Sequence, residues 1–403
     1  ANQTAGLDTI KLATNVILSN DLATQAWSLT GSLLFDGGNF IVDGGGYGGF
    51  VSDTNNLHFV FQNARFTNFS DAGANNYATS VIGIYGRNHS LSIHNSEFYA
   101  NTAGYSAIAI VQSGAQTGGD VASVSLFSVD TSKFHDNTTT NQAYNTPIVL
   151  YVVAGGGAIN VSKIYASITN TAIYDNDGID LGVYYFADNY GAVVSNIVNS
   201  TIAGNKTGID GSTGANAIAL DLTVRNSIVT GNSTADIAGI TPATSASLIG
   251  SAVNFVNAGS GDYRLASTAS NALNQGDAFY VIGDLDVRGL LRARNGGVDI
   301  GAYESWTDGT APSLDLNGGT AGVDYTNAAT SGFGTGVLVT GSSSAATVTD
   351  GEGRVWKVTA TLSGILNTGK EELFLSDADL LSAHAAGIRV SGNGTSSLTL
   401  EGG

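Results

Sequence analysis

The chain has 403 residues, which is long enough for two domains, and it contains 54 Gly, 3 Pro, no Cys and no Met. Because Cys is absent, disulfides and thiolate metal sites are excluded, and because Met is absent we expect that a leader or a larger precursor was removed. The net charge of −18 disfavours nucleic acid and anionic membranes as partners and favours divalent cations. No segment approaches the roughly 18 apolar residues of a membrane span, so we expect no membrane insertion.

The N-terminal residues predict short strands that are separated by turns containing Gly and Asp. Apolar and polar residues alternate in AGLDTIKLATNVILSN (5–20) and in LLFDGGNFIVDGGG (33–46). The apolar positions of this alternation are Ile10, Leu12, Leu33, Phe35, Phe40 and Val42. We therefore expect the first turns of a repetitive β structure here.

A seven-residue motif then recurs six times. It consists of Asn, a small polar residue, any residue, a large apolar residue, two further residues and a second Asn, with looser matches in two copies. The copies lie at 63–69, 95–101, 131–137, 170–176, 199–205 and 226–232. Their starts are 32, 36, 39, 29 and 27 residues apart, which is typical of a solenoid whose turns carry insertions of variable length.

Two positions of each copy are apolar with the spacing of strand alternation, so we predict that they face a common interior. The fourth residues of the copies are Phe66, Phe98, Phe134, Ile173, Ile202 and Val229. The residues two positions before each copy are Phe61, Ile93, Val129, Ile168, Ile197 and Val224. The first Asn of five copies has the same inward parity, and stacked Asn side chains can hydrogen-bond along a column and satisfy backbone groups in the turns.

Further strand candidates lie between the copies, which gives about three short strands for each turn of the solenoid. These candidates are at 79–86, 106–113, 147–153 and 182–187. Three strands per turn without an amphipathic helix predict an all-β fold, a parallel β-helix over residues 1–305.

The end of this region carries a series of three elements: GDYRLASTASNALNQGD (261–277), GDLDVRG (283–289) and GGVDIGAYE (296–304). The series resembles the end of the right-handed parallel β-helix in bacterial surface proteins of the choice-of-anchor Q type, which have pectin-lyase-like repeats. This chain departs from that pattern at 270–276, where the usual Pro and Asp are missing. The resemblance covers about residues 1–305.

The resemblance implies that this series closes the solenoid and that residues 296–304 form its terminating strand. The alternative is an active-site loop in which Asp299, Tyr303 and Glu304 perform acid chemistry. In the structural interpretation, ion pairs join Asp286 to Arg288, and join Asp299 and Glu304 to Arg292 or Arg294. The residues assigned to this structural cap are Asp286, Arg288, Asp299, Tyr303 and Glu304.

Residues 306–403 predict a second domain, because alternating strands with tight polar turns replace the motif. The segment at 311–332 resembles the start of cadherin-like repeats in bacterial adhesins, which implies an Ig-like or cadherin-like β-sandwich with Ca²⁺ between carboxylates. The candidate ligands are Asp308, Asp315, Asp324, Asp350, Asp377 and Asp379, and a solvated turn is the alternative for each. The sandwich is short, so a strand from a neighbouring copy is one candidate to complete it.

Two further candidate sites lie within the solenoid. The run DNDGID at 175–180 is the densest acidic turn, and its Asp175, Asp177 and Asp180 are candidate Ca²⁺ ligands, with a solvated loop as the alternative. The stretch GVYYFADNYG at 182–191 contains Tyr184, Tyr185 and Tyr190, whose rings are candidates for contact with a glycan. The alternative is that some of these rings pack inside the coil and the others are ordinary surface tyrosines.

No constellation for catalysis is apparent in the sequence. The basic residues of the repeats are scattered without paired Asp; they are Arg65, Lys133, Lys163 and Arg225. The five His residues do not cluster in the sequence; they are His58, His89, His94, His135 and His384. We therefore expect a secreted bacterial cell-surface protein that is not an enzyme and that acts in adhesion or in self-assembly into a fibre or surface layer, with Ca²⁺ as stabiliser. Its expected partners are copies of itself, cell-surface glycans, or both. The alternatives are an extracellular protein that binds or degrades polysaccharides and, less well matched because no repeated Thr-x-Thr is present, an ice-binding protein.

Overall fold

The structure is a computed structural model of the whole chain. It describes the backbone of eight strands between residues 312 and 402, and the residues 8–18, 27–70, 80–103, 106–113, 123–139, 146–153, 162–176, 183–188, 191–213, 218–266, 268–283, 286–288, 292 and 297–304. Contacts divide the chain into two compact units. The first consists of Ala1–Ala252, Phe279–Ile282 and Ile300–Ala302, and the second of Val253–Ala278, Gly283–Asp299 and Tyr303–Gly403.

Three long parallel sheets form the first unit, and the chain visits them in the same order in every turn. Strands are numbered in chain order. The first sheet consists of β1(Asp8–Lys11), β4(Leu33–Asp36), β7(His58–Gln62), β10(Ser90–His94), β14(Val124–Asp130), β18(Ser162–Thr169), β21(Gly191–Val198), β24(Ala219–Arg225) and β27(Ala243–Ser245). The second sheet consists of β2(Val16–Ile17), β5(Ile41–Asp43), β8(Arg65–Thr67), β11(Glu97–Tyr99), β15(Lys133–His135), β19(Ala172–Tyr174), β22(Thr201–Ala203), β25(Ile228–Thr230) and β28(Leu248–Ile249).

The third sheet consists of β3(Trp27–Ser28), β6(Phe50–Ser52), β9(Ile82–Gly86), β13(Ser106–Ser113), β17(Thr146–Val153), β20(Val183–Asp188), β23(Thr207–Thr213) and β26(Ala235–Ala238). A small parallel pair, β12(Thr102–Ala103) and β16(Thr138–Thr139), lies after the second sheet. The prediction of three strands per turn is therefore confirmed, and the strand predicted at 106–113 has those bounds in the structure. Each sheet pairs a strand with its counterpart one turn later, an arrangement consistent with a β-helix solenoid.

The interior of the coil is built from the two apolar positions that the motif predicts. In the first sheet one column of register partners is Ile10, Phe35, Phe61, Ile93, Val129, Ile168, Ile197, Val224 and Thr244, of which all but the exposed end members Ile10 and Thr244 are buried. In the second sheet the inward column is Val16, Val42, Phe66, Phe98, Phe134, Ile173, Ile202, Val229 and Ile249. All twelve apolar residues that the six motif copies predict to be internal are buried. The rings of Phe66, Phe98 and Phe134 stack face to face, with centroids 4.7 and 4.9 Å apart.

The second unit begins with an antiparallel hairpin of β29(Phe255–Asn257) and β30(Asp262–Leu265), which the 3₁₀ turn Ala258–Ser260 connects. Residues 297–304 contain no strand, so the expected terminating strand in GGVDIGAYE is wrong. This segment is a series of bends because its polar backbone and carboxylate groups bond to one another, as described below. A second 3₁₀ turn, Ala278–Tyr280, precedes it.

Beyond residue 311 the described strands form small sheets. One joins β31(Pro312–Asp315) to β32(Gly322–Val323) in antiparallel and to β33(Leu338–Thr340) in parallel orientation. Another is an antiparallel sheet with the order β34(Ser343–Thr349), β35(Val355–Ser363), β38(Thr395–Gly402), and β36(Leu373–Phe374) pairs with β37(Arg389–Val390). The boundary predicted at residue 305 stays a prediction. In the part of the chain that is described, no helix is long and apolar enough to cross a membrane.

Candidate functional site

The first Asn of the motif forms the corner between the first and the second sheet. The φ angles of Asn63, Asn95, Asn170, Asn199 and Asn226 lie between 43° and 52°. This left-handed conformation is one that Asn adopts more readily than most residues. The first Asn thus turns the chain at this corner. Its burial differs between copies: Asn170, Asn199 and Asn226 are buried, whereas Asn95 is exposed.

The second Asn of the motif forms the buried amide ladder that was expected from stacked Asn side chains. The ladder runs through Asn101, Asn137, Asn176, Asn205 and Asn232 and ends at Asp236. The side-chain nitrogens of the first four Asn residues donate to the side-chain oxygen one turn further on, at 2.8–3.1 Å. That of Asn232 donates to Asp236, four residues later in the same turn, at 2.8 Å. Each nitrogen also donates to a backbone carbonyl of the preceding turn, as Asn137 does to Phe98 at 2.9 Å.

The small polar residue of the motif forms a second ladder, which is made of hydroxyls. Ser96 accepts a hydrogen bond from the backbone nitrogen of Ala64, and Ser132 accepts one from that of Ser96. The same hydroxyls donate to the carbonyl two residues earlier in their own turn. Both ladders satisfy buried backbone groups at the corners, where strand pairing is interrupted.

The outer face of the second sheet carries a cluster of charged and aromatic residues that sequence reasoning missed. We call it the outer ladder; it consists of Arg65, Glu97, Lys133 and His135 with the rings of Tyr99 and Tyr174. These side chains occupy the third and fifth places of successive motif copies, so that strand register brings them together. When the motif copies are aligned by position, these residues fall in the same columns and the cluster can be recognised. Their separations along the chain do not reveal it, because those on successive turns are more than 30 positions apart.

Both oxygens of the Glu97 carboxylate are hydrogen-bonded within this ladder. The guanidinium Nε of Arg65 donates to Oε2 at 2.6 Å, and Nε2 of His135 lies 3.1 Å from Oε1. The other ring nitrogen of His135, Nδ1, lies 2.7 Å from Oδ2 of Asp136. A chain of polar contacts thus joins three successive turns of the coil.

Aromatic stacking extends the same contacts by one more turn. The imidazole of His135 lies between the rings of Tyr99 and Tyr174, with centroids 5.6 and 5.0 Å away and interplanar angles of 14° and 2°. The guanidinium of Arg65 lies 5.3 Å from the centroid of Tyr99. Such a cation beside a ring contributes about 0.5–1 kcal/mol at an exposed site.

The surroundings of the ladder shift two pKa values in opposite senses. Burial opposes the ionised form of Glu97, but hydrogen bonds from His135 and Arg65 outweigh it and lower the pKa of Glu97 to about 2. Burial also opposes the charged form of His135, and the bonds to Glu97 and Asp136 outweigh it and raise the pKa of His135. The ladder therefore favours an ionised carboxylate beside a protonated imidazole.

The C-terminal series contains a second concentration of charge, which lies within the second unit. Asp286 forms a fork with Arg288: its carboxylate accepts the Arg288 backbone nitrogen at 2.7 Å and is paired with the guanidinium at 2.6 Å. Asp262 and Arg264 repeat this arrangement, with a shortest pair distance of 2.5 Å. The Asp-x-Arg spacing thus has the same local geometry in both places.

Glu304 is buried beside this fork. Its carboxylate accepts the backbone nitrogen of Asp299 at 3.2 Å and lies 3.6 Å from the guanidinium of Arg292. Burial and the nearby Asp299 raise the pKa of Glu304 to about 8, although Arg292 acts in the opposite direction. Burial likewise raises the pKa of Tyr303, which packs against the Arg288 guanidinium at 5.5 Å.

Two short segments of the C-terminal region, Phe279–Ile282 and Ile300–Ala302, lie against the side of the coil within the first unit. The backbone of Ala302 donates to the Thr201 hydroxyl at 2.9 Å, and Asn170 donates to the carbonyl of Ile282 at 2.8 Å. The guanidinium of Arg225 lies 4.8 Å from the ring centroid of Tyr280. Within the first unit, these pieces therefore contact turns near the C-terminal end of the coil.

Most of the predicted ligand residues lie outside the described part of the chain. Asp175 is described: it has a φ of 51°, and its backbone nitrogen donates to Ala203 at 3.4 Å. The side chains of Asp315, Tyr184 and Tyr185 lie outside the description, although strands β31 and β20 include their backbone. The remaining predicted residues that lie outside it are Asp177, Asp180, Tyr190, Asp308, Asp324, Asp350, Asp377 and Asp379. Within the residues that the structure does describe, no group of three or more His, Asp or Glu is placed to hold a metal ion, and Ca²⁺ binding stays a prediction.

In comparisons with known proteins, no protein family, curated protein or solved structure matches this chain.

Proposed function

We propose that this chain is a secreted bacterial cell-surface structural protein or adhesin and not an enzyme. The observation that supports this proposal is the ladder chemistry of the first unit. Buried amides, hydroxyls and the outer ladder all bond from one turn to the next. In these ladders the polar side chains hydrogen-bond to one another and so stabilise a stack of turns, which is what a mechanical scaffold requires.

The proposed fold is a right-handed parallel β-helix followed by an Ig-like or cadherin-like β-sandwich. Right-handed crossovers are the general rule for parallel strands. Nine strands in a parallel sheet span about 38 Å at about 4.8 Å per interval. The antiparallel sheet β34–β35–β38 supports the sandwich, and the resemblance of 261–304 to choice-of-anchor Q proteins supports the cell-surface location.

Self-assembly and Ca²⁺ belong to the same proposal. The net charge of −18 opposes contact between copies unless cations screen it, so assembly is expected to need a divalent ion. Strand β38 lies at the edge of its sheet among the described strands and is a template for a strand from another copy.

Electron microscopy of the purified chain with and without millimolar Ca²⁺, and again after EGTA, tests the proposal. Ordered fibres or sheets that dissolve in EGTA are the expected result, and deletion of residues 395–402 should abolish them while the circular dichroism of the solenoid is retained. Monodisperse particles under all conditions would contradict self-assembly. A screen for polysaccharide lyase and hydrolase activity, with no activity expected, tests the non-enzymatic assignment.

A second candidate function is binding to a polysaccharide on the outer face of the first sheet. Leu126 and Tyr165 are register partners there and are 52% and 42% exposed. Two residues further along the strands, on the same face, Ser128 and Ser167 place hydroxyls beside them. An aromatic ring next to a row of hydroxyls suits the mixed apolar and polar faces of a sugar. A glycan array tests this: Tyr165→Ala should lose binding, Phe279→Ala should retain it, and equal binding by both variants would contradict the site.

A further inference from the structure

His135 touches a carboxylate with each of its ring nitrogens. Nε2 lies 3.1 Å from Glu97 on the preceding turn, and Nδ1 lies 2.7 Å from Asp136 at the following corner. An ionised carboxylate can only accept hydrogen bonds, and a neutral imidazole can donate from only one nitrogen. Both contacts are therefore hydrogen bonds only when the ring is the doubly protonated imidazolium.

The charged groups around the imidazole also favour the imidazolium. Strand β11 supplies Glu97, and the corner after β15 supplies Asp136. The two cations of the face, Arg65 and Lys133, both favour the ionised form of Glu97. Arg65 lies on the far side of Glu97 in the chain of contacts, and Lys133 lies two residues before His135 on β15. The neighbouring strands β11 and β19 contribute the ring faces of Tyr99 and Tyr174.

We propose that His135 is a pH-sensitive clasp that ties successive turns of the coil together as an imidazolium and loosens them when it loses its proton. Deprotonation leaves one carboxylate facing a nitrogen lone pair at hydrogen-bond distance, which is repulsive. The side chain is only 16% exposed, so water replaces the lost bond poorly. This inference does not depend on the proposed function, because it concerns the coil alone.

The direction of the pH dependence follows from the two shifted groups. The pKa of His135 is raised, so its contribution to stability is full below the unfolded value of 6.5 and is lost as the pH rises through the folded value. The pKa of Glu97 is lowered to about 2, so its contribution is full above 4.5 and is lost as the pH falls through about 2. The clasp is therefore closed between about pH 4.5 and 6.5, and it opens as the pH rises through the raised pKa of His135.

The first experiment is an NMR titration of the imidazole protons of the full chain, with His135→Gln identifying the His135 signal. We expect His135 to titrate above 6.5, and titration at or below 6.5 would overturn the proposal. Asp136 is 65% exposed and adopts a left-handed conformation that Asn tolerates, so Asp136→Asn should fold. This variant should lower the titration point of His135, and an unchanged value would count against the clasp.

The second experiment separates the clasp from a merely structural histidine. The denaturation midpoint of wild type should exceed that of His135→Gln at pH 6, and the difference should shrink at pH 9. His94→Gln is the control for the loss of an imidazole elsewhere, because His94 ends a strand of the first sheet and lies outside the ladder. The change of midpoint difference between pH 6 and pH 9 should be larger for His135→Gln than for His94→Gln. A His135→Gln effect of equal size at both pH values would refute the proposal. If His135→Gln does not fold, hydrogen exchange of wild type decides: after correction for intrinsic rates, amides of 97–99, 133–135 and 172–174 should exchange faster at pH 9.

Discussion

Substitution of one residue in the buried amide ladder should destabilise the coil far more than its place in a turn between two strands would indicate. Asn137 is buried, and its side chain takes part in four hydrogen bonds. Its nitrogen donates to Phe98 and Asn176, and its oxygen accepts from the backbone and side-chain nitrogens of Asn101. In Asn137→Ala, buried groups on two neighbouring turns lose their partner at the same time.

The magnitude follows from these four bonds. At a net value of about 0.5–1.5 kcal/mol each, their loss costs about 2–6 kcal/mol. This is a large part of the roughly 5–15 kcal/mol that usually stabilises a folded domain. Urea unfolding monitored by circular dichroism gives the change in midpoint, and hydrogen exchange should localise the loss to the turns at 101, 137 and 176.

The matched control is the first Asn of the preceding motif copy. Asn95 adopts a φ of 43° and donates one exposed side-chain bond, to Asn63 at 2.8 Å. Because Gly adopts that φ without strain, Asn95→Gly should cost only about 1 kcal/mol or less. If Asn137→Ala costs no more than Asn95→Gly, the ladder does not carry the stability that its geometry implies.

Three further substitutions test other parts of the structure. Gly301→Ala should lower the stability measured by thermal unfolding by about 1–3 kcal/mol, because the φ of Gly301 is 111° and the added methyl group would lie 2.8 Å from the Thr201 hydroxyl oxygen. An unchanged melting temperature would contradict the packing of this segment on the coil. Phe98→Ala should cost about 3–5 kcal/mol, since it removes the middle ring of a buried stack; a denaturant titration measures the cost, and under about 1 kcal/mol would refute it. Because burial raises the pKa of Glu304 to about 8, the wild-type protein should lose stability as the pH rises from 4.5 through 8. Glu304→Gln should flatten this dependence of unfolding free energy between pH 5 and 9. An identical slope in both proteins would show that Glu304 is not the group involved.

The interior of the coil could be predicted from the sequence because strand alternation is strictly local. Phe98 and the residue five positions before it, Ile93, are separated by the corner and still both face inward in every motif copy. A local apolar pattern repeated six times specifies which side chains are buried, whatever the length of the insertions between copies. The variable spacing of 27–39 residues therefore did not obscure the strands.

The roles of the two motif Asn residues could not be separated by the same reasoning. Parity counted from Phe61, two positions earlier, predicts that Asn63 faces inward only if the chain stays extended through Asn63. The corner breaks this condition, because the left-handed Asn63 bends the chain from the first sheet into the second. The second Asn follows another corner, where a left-handed Ala100, Asp136 or Gly204 precedes it, and so it points inward.

Contacts on the outer face depend on register between turns, which no local pattern encodes. Glu97 meets Arg65 across 32 residues and His135 across 38. These separations differ because the spacing of the copies grows from 32 to 36 residues and because His135 lies two places later in its copy than Glu97 does. Only the pairing of β8, β11 and β15 places them in adjacent rows. The motif nevertheless marks where each turn enters the second sheet, so residues at equal motif positions are neighbours in space. Reading the six copies as rows of an array, rather than as segments of a chain, would therefore predict the outer ladder in this protein and the corresponding ladders in other solenoids with uneven turns.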